Sequence, residues 1–213
     1  MIRNKSMVDI IRYPILSRFN EILHLTSTRS GGVSSGSYES LNLGRFSGDD
    51  IGNIHQNFNR FLSGINLSED QLHLPFQTHG DSVLKIDADF ITQNEVVKSE
   101  KLHGVDALIT NLPNQFIGVS TADCVPVLLF DPVKKAVGAA HAGWRGTCSG
   151  IAAKTVNAMQ EEFNTDPGDL IAVIGASISP DAYEVGDELI THFENKSFDI
   201  DKVFFRKAEK LHL

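Results

Sequence analysis

One stretch constrains this chain more than any other: Thr121-Ala-Asp-Cys-Val-Pro through His141-Ala-Gly-Trp-Arg-Gly. It holds an apolar run from Val125 to Phe130, the turn-like Asp131-Pro132-Val133-Lys134-Lys135, and a second apolar run from Ala136 to Ala140. Two short apolar runs around a turn predict a β-hairpin. A hairpin brings its outer ends together, so Cys124 and His141 are expected to be neighbours. A thiol beside an imidazole is either part of a metal site or an activated nucleophile.

Two other segments bear on that choice. His79 ends an apolar run in Phe76-Gln77-Thr78-His79-Gly80, and strand ends followed by glycine turns are where sites tend to be built. With Cys124 and His141 it makes a Cys/His/His set. Catalytic zinc often takes three ligands from scattered positions and keeps a fourth place open, and the wide spacing fits that pattern better than a structural site with closely spaced pairs. Spacing alone leaves the turn-histidine reading open. His24, His55, His73, His192 and His212 lie in segments without other reactive neighbours. The second segment, Gly143-Trp144-Arg145-Gly146, leads into a helix and suits the approach of an anion, with Arg145 as a bidentate grip. Thr28-Arg29-Ser30-Gly31-Gly32-Val33-Ser34 matches neither a P-loop nor a dinucleotide fingerprint and reads as a loop with Arg29 at its root. The sequence lacks G-x-S-x-G, H-E-x-x-H, CxxC and H-x-H, and its eight histidines are too few for a four-copper oxidase site.

Three segments have helical spacing: Asn53 to Ile65 with Asn53 as cap, about Ser149 to Phe163, and about Asp181 to Phe193. Further strands are expected at Leu23–Thr28, Leu72–Thr78, Ser82–Ile86, Ala107–Thr110, Phe116–Ser120 and Leu170–Gly175, with Asp87 to Gly104 as a surface loop that could hold a short helix. Strands, then helices, then strands again predict a mixed α+β fold rather than regular βαβ alternation. The 213 residues are expected to form a single domain with a substantial core. A net charge of -8 argues against nucleic acid as partner. No apolar run approaches the length of a membrane span, and Met1 to Met7 is too polar for a signal-peptide core. Two cysteines, Cys124 and Cys148, suggest free thiols in a reducing cytoplasm.

Taken together, the motifs resemble the YfiH-like laccase-domain family. They are Thr28–Ser34, Leu41-Asn42-Leu43-Gly44, Gly48-Asp49-Asp50, Gln77-Thr78-His79-Gly80, Asp106–Thr110, Ala122–Val127, Ala140–Gly146 and Tyr183-Glu184-Val185-Gly186. The resemblance covers roughly residues 24 to 206. It implies that His79, Cys124 and His141 bind zinc or, in some members, copper. It also implies mixed sheets with outer helices, a layered α/β/β/α sandwich shared with cysteine-hydrolase-like domains. The activity implied first is on purine nucleosides: phosphorolysis of adenosine, inosine and methylthioadenosine, with adenosine deamination. Polyphenol oxidation with copper, editing of peptidoglycan precursors by a cysteine hydrolase, and metal-dependent binding without catalysis are the alternatives. On the first reading Arg29, Arg145 and Asn42 contact phosphate or sugar, Asp123 is an acid toward the purine, and Cys124 and His141 belong to the catalytic centre. The family pattern continues with an Asp-Leu-Trp segment, a helix and a strand that do not follow Leu213, so the domain is expected to lack that C-terminal part.

Overall fold

The structure, a computed structural model, describes residues 8–213; the leading Met1–Met7 lies outside them. In chain order the elements are β1 (Ile10–Ile11), β2 (Thr26–Ser27), α1 (Ile51–Ile65), β3 (Leu72–His73), β4 (Val83–Lys85), α2 (Ala88–Thr92), α3 (Glu95–Leu102), β5 (Ala107–Thr110) and β6 (Phe116–Ile117). There follow β7 (Val125–Asp131), β8 (Ala136–Ala142), α4 (Trp144–Cys148), α5 (Ile151–Phe163), β9 (Ile171–Ile174), β10 (Glu184–Val185), α6 (Glu188–Glu194), α7 (Ile200–Val203), β11 (Phe205–Lys207) and β12 (Lys210–His212). The fold is mixed α+β, centred on a five-stranded open sheet of order β4-β5-β8-β7-β9.

The hairpin forms as its sequence predicts. β7 and β8 pair antiparallel with Pro126 opposite His141 and Val125 opposite Ala142, so Cys124 and His141 come to the same end. Asp131 closes the other end: its carboxylate accepts the N–H groups of Val133 and Lys134 at 2.8 and 2.9 Å. This is the side-chain turn that an Asp at such a position builds. β5 joins β8 antiparallel, β4 adds parallel to β5, and β9 pairs antiparallel with β7.

Strand alternation sends successive side chains to opposite faces. Val127 and Leu129 of β7, Ala107 and Ile109 of β5, and Ala136 and Ala140 of β8 meet Ile151, Met159 and Phe163 of α5. The small residues of β8 let α5 settle close: a Cβ on Gly138 would stand 3.2 Å from the Met159 sulfur. On the other face Phe130 and Val173 pack with Leu16, and Phe19 meets Phe130 edge to face at 5.1 Å. Leu108 packs there with Ile86 and Phe90. Each of the larger side chains buried here contributes about 1.5–3 kcal/mol of transfer free energy, so the sheet that holds the site is packed on both faces.

Several boundaries differ from the sequence reading. α1 begins at Ile51, capped by Asp50 rather than Asn53; the Asp50 carboxylate accepts the Asn53 N–H at 3.1 Å. The helix expected from Ser149 forms as α5, starting two residues later after Gly150 in a left-handed conformation (φ 79°), and a separate short helix, α4, precedes it. The helix expected from Asp181 starts only at Glu188, because Glu184–Val185 pairs instead with β12. The strand expected over Leu72–Thr78 shrinks to Leu72–His73; Pro75 has no N–H to continue a ladder. The strands expected at Leu23–Thr28 and Phe116–Ser120 are likewise short, at Thr26–Ser27 and Phe116–Ile117. The loop at 87–104 carries two helices, α2 capped by Asp87 and α3 capped by Asn94. Among the described residues no helix is long and apolar enough to cross a membrane.

Candidate metal centre and adjoining pocket

Three elements bring His79, Cys124 and His141 together. Cys124 immediately precedes β7 and His141 lies near the end of β8, as the hairpin requires. His79 arrives from the turn before β4. The ligand atoms of the three lie within 4.8 Å of one another, and the two imidazole centroids are 4.8 Å apart. Among the described residues no other group of three His, Cys, Asp or Glu side chains comes so close.

Asp106, at the threshold of β5, organises this arrangement. It is fully buried. One carboxylate oxygen accepts the N–H of His79 at 3.0 Å and His141 Nδ1–H at 2.8 Å. The other accepts the N–H groups of Thr78 at 3.2 Å and Gly80 at 2.8 Å. Three consecutive N–H groups on one carboxylate curl the backbone, and His79 takes a left-handed conformation (φ 61°). That conformation is disfavoured for a non-glycine residue by about 1–2 kcal/mol; the hydrogen bonds to Asp106 hold it. The backbone carbonyl of Asp106 also accepts the N–H of His141 at 2.8 Å. A carboxylate accepts this bond from His141 Nδ1–H, which leaves Nε2 as the ring nitrogen available to a metal.

Gly143 completes the cradle. A Cβ there would stand 3.1 Å from both the Cys124 sulfur and His79 Cδ2, and 3.7 Å from His141 Cε1. The half-buried Cys124 thiol is pushed above its ordinary pKa by burial, and further by the negative charges of Asp123 and Asp106. A cation among the donors would reverse that penalty. Two imidazoles and a thiol make a zinc- or copper-type donor set with an open fourth position. Donors bound tetrahedrally to zinc lie about 3.4–3.8 Å apart given bond lengths near 2.0–2.3 Å, so the trio fits a metal after contracting by about 1 Å.

A pocket of about 330 Å³ begins at His79 and is lined by Trp144, Arg145, Ser149, His192 and Lys196. Arg145 lies over the Trp144 ring at 5.1 Å, and Trp144 faces His192 with centroids 5.4 Å apart. Asp123 is exposed beside Cys124. Arg29 and Asn42 do not line this pocket. Arg29 Nε donates to the Glu39 carbonyl at 3.0 Å. The Asn42 amide donates to Ser47 and Asp49 and accepts from the Gly44 N–H, so its hydrogen-bonding capacity is used within its own loop. Asp106, His192 and Lys196 were not singled out by sequence. Their partners are distant in the chain, and only the Asp106–Thr110 motif hinted at one of them.

A family model described as multi-copper polyphenol oxidoreductase laccase matches residues 23–213. The chain belongs to the YfiH-like laccase-domain family. A Bacteroides thetaiotaomicron protein named purine nucleoside phosphorylase is 40% identical over 200 residues, 94% of this chain and 74% of its own length. A protein named adenosine deaminase RL5, from an unknown prokaryotic organism, is 32% identical over 200 residues, covering 94% of this chain and 76% of its own. The crystal structure of the Bacillus licheniformis hypothetical protein YfiH aligns with a TM-score of 0.77 at 32% identity, covering 87% of this chain and 70% of that one. The laccase-domain sheet and the His/Cys/His cluster lie inside the matched region.

Proposed function

We propose that this laccase-domain protein is a metal-dependent purine nucleoside phosphorylase, with zinc as the metal and adenosine, inosine and methylthioadenosine as substrates. The observation that carries this reading is the convergence of His79, Cys124 and His141, the first of which also lines a pocket furnished with an aromatic wall and a guanidinium. The names of the relatives support the substrate class.

In phosphorolysis a phosphate oxygen bonds to the ribose C1′ as the C1′–N9 bond breaks. The bonding pair leaves with the purine, and the proton given up by phosphate ends on the base. Positive charge builds on the ribose and negative charge on the purine. Trp144 and His192 offer flat surfaces for the base, and Arg145 offers paired N–H donors to a phosphate oxyanion. Asp123, exposed beside Cys124, is the acid of this reading, passing a proton toward a purine nitrogen. Asp106 fixes the His141 tautomer throughout. A metal held by His79, Cys124 and His141 would supply Lewis acidity at its open position, which also serves deamination of adenosine.

The series Asp106–His141–Cys124 also has the order of a thiol-hydrolase triad, which is what favours the cysteine-hydrolase alternative. The raised pKa of Cys124 weighs against it, since an uncompensated thiol held protonated is a poor nucleophile. The test is product analysis. Zinc-loaded protein with adenosine and phosphate should yield adenine and ribose 1-phosphate, and Cys124→Ala and His79→Ala should abolish turnover while remaining folded. Metal-replete protein that forms neither product nor inosine would rule the proposal out, and release of an amino acid from a peptidoglycan precursor would favour the hydrolase.

A further inference from the structure

The chain is acidic, with 27 Asp and Glu against 19 Lys and Arg. The pocket at His79 departs from that balance. Its lining includes two cations, Arg145 and Lys196, and no carboxylate. Most other lysines among the described residues are neutralised, Lys101 and Lys134 excepted: Lys85, Lys135 and Lys210 each meet a carboxylate at 2.6 Å. Among the described residues neither Arg145 nor Lys196 has such a partner. The two approach from different elements. Arg145 lies on α4, steadied over the Trp144 ring. Lys196 lies in the turn that closes α6, where its N–H donates to the Phe193 carbonyl at 3.0 Å. Ser149, at the end of α4, adds a hydroxyl to the same lining.

Two unpaired cations facing a shared cavity repel each other, and an anion between them relieves that repulsion. A phosphate group suits this set of donors. It offers oxygens to a forked guanidinium, to a compact ammonium and to a hydroxyl at once. His79, at the pocket rim, sets the direction of the reacting centre.

We infer that Arg145, Lys196 and Ser149 form a phosphate seat beside the metal centre, and that its occupant is the inorganic phosphate consumed in the reaction. This rests on the phosphorylase reading for the identity of the occupant, though not for the existence of the seat. A nucleotide 5′-phosphate has the same chemistry, so the experiment separates the two sources.

Trp144 is the only tryptophan of the chain and lines the pocket, so its emission reports occupancy. Zinc-loaded protein is titrated with orthophosphate, with adenosine 5′-monophosphate and with adenosine. Binding is read by Trp144 emission and independently by phosphorus-31 line broadening. The seat predicts saturable orthophosphate binding, weakened about tenfold or more in Arg145→Gln and in Lys196→Gln and unchanged in Lys202→Gln, whose ammonium pairs with Asp199 instead. In turnover, Lys196→Gln should raise the KM for phosphate and leave that for adenosine unchanged. Orthophosphate binding that both pocket variants retain, or no orthophosphate binding by either method, overturns the inference. Binding of the monophosphate without orthophosphate overturns the assignment of the occupant. Orthophosphate binding that depends on both cations, in a protein that forms no phosphorolysis product, removes the phosphorylase reading and leaves the seat standing.

Discussion

Replacing Asp106 by asparagine removes one charge and changes one acceptor atom into a donor, at a fully buried position. The carboxylate accepts four hydrogen bonds, two at each oxygen. If the asparagine carbonyl keeps His79 N–H and His141 Nδ1–H, its amino group faces the N–H groups of Thr78 and Gly80. Two part-buried donors then lose their acceptor, at up to about 1–3 kcal/mol each, the lower end applying where water reaches them. If the amide turns over, the amino group faces His141 Nδ1, which must give up its proton to accept. The tautomer then places hydrogen on Nε2 and removes the free lone pair. Either orientation damages the centre. Loss of such a supporting partner typically weakens metal binding by about 10–100-fold. Urea unfolding followed by circular dichroism should show the midpoint of the metal-free variant lowered by about 1 M or more. Competition with a chromophoric chelator should show weaker zinc binding. A variant with wild-type zinc affinity refutes the positioning role of Asp106, even if its stability falls.

Other expectations follow from single contacts. Gly143→Ala should weaken zinc binding with little loss of stability, because the backbone there (φ −67°) accepts any residue while the new Cβ presses on Cys124 and His79; unchanged affinity by chelator competition counts against the cradle. Asn57→Ala should cost about 3 kcal/mol and speed hydrogen exchange in the 29–42 loop, since the buried amide accepts the Val33 N–H and donates to Ser34, Ser40 and Asn42. The Asp87 carboxyl is held below its ordinary pKa by the Phe90 N–H, with the Lys85 charge adding and burial opposing. A depressed folded-state pKa gives stability that is present above the unfolded pKa, near 3.9, and is lost as pH falls through the folded value. Asp87→Asn should therefore flatten the acid limb of the stability curve below about pH 4, and parallel limbs would contradict the assignment.

Much of the central sheet was legible because its signals are local. The runs flanking Asp131-Pro132 specify the hairpin, and the spacing of Ile151, Thr155, Met159 and Phe163 specifies α5. The pairing of Cys124 with His141 followed from the hairpin alone. His79 carries no local signal beyond that of a strand-end histidine, and only the set of family motifs marks it as a ligand. Asp106 was invisible as an organiser, because its four donors come from two segments far away in the chain. The same holds for Asn57, a polar residue on the buried face of α1 whose partners lie in the preceding loop. The late start of α6 escaped because β10 competes for the segment with a strand, β12, that follows it.

The way Asp106 bridges two segments sets an order of assembly. Cys124 and His141 flank the most local pairing in the sheet and meet as soon as β7 and β8 zip together. His79 joins them only when β5 docks on β8, since Asp106 must reach both the 78–80 turn and the His141 ring. Local contacts form early and distant ones late. A nascent chain thus offers a metal two donors before it offers three, and tight capture waits until the scaffold is nearly complete. A metal held there would arrive at a finished cradle rather than gather the chain around itself, and treating the protein with a chelator should leave the sheet folded.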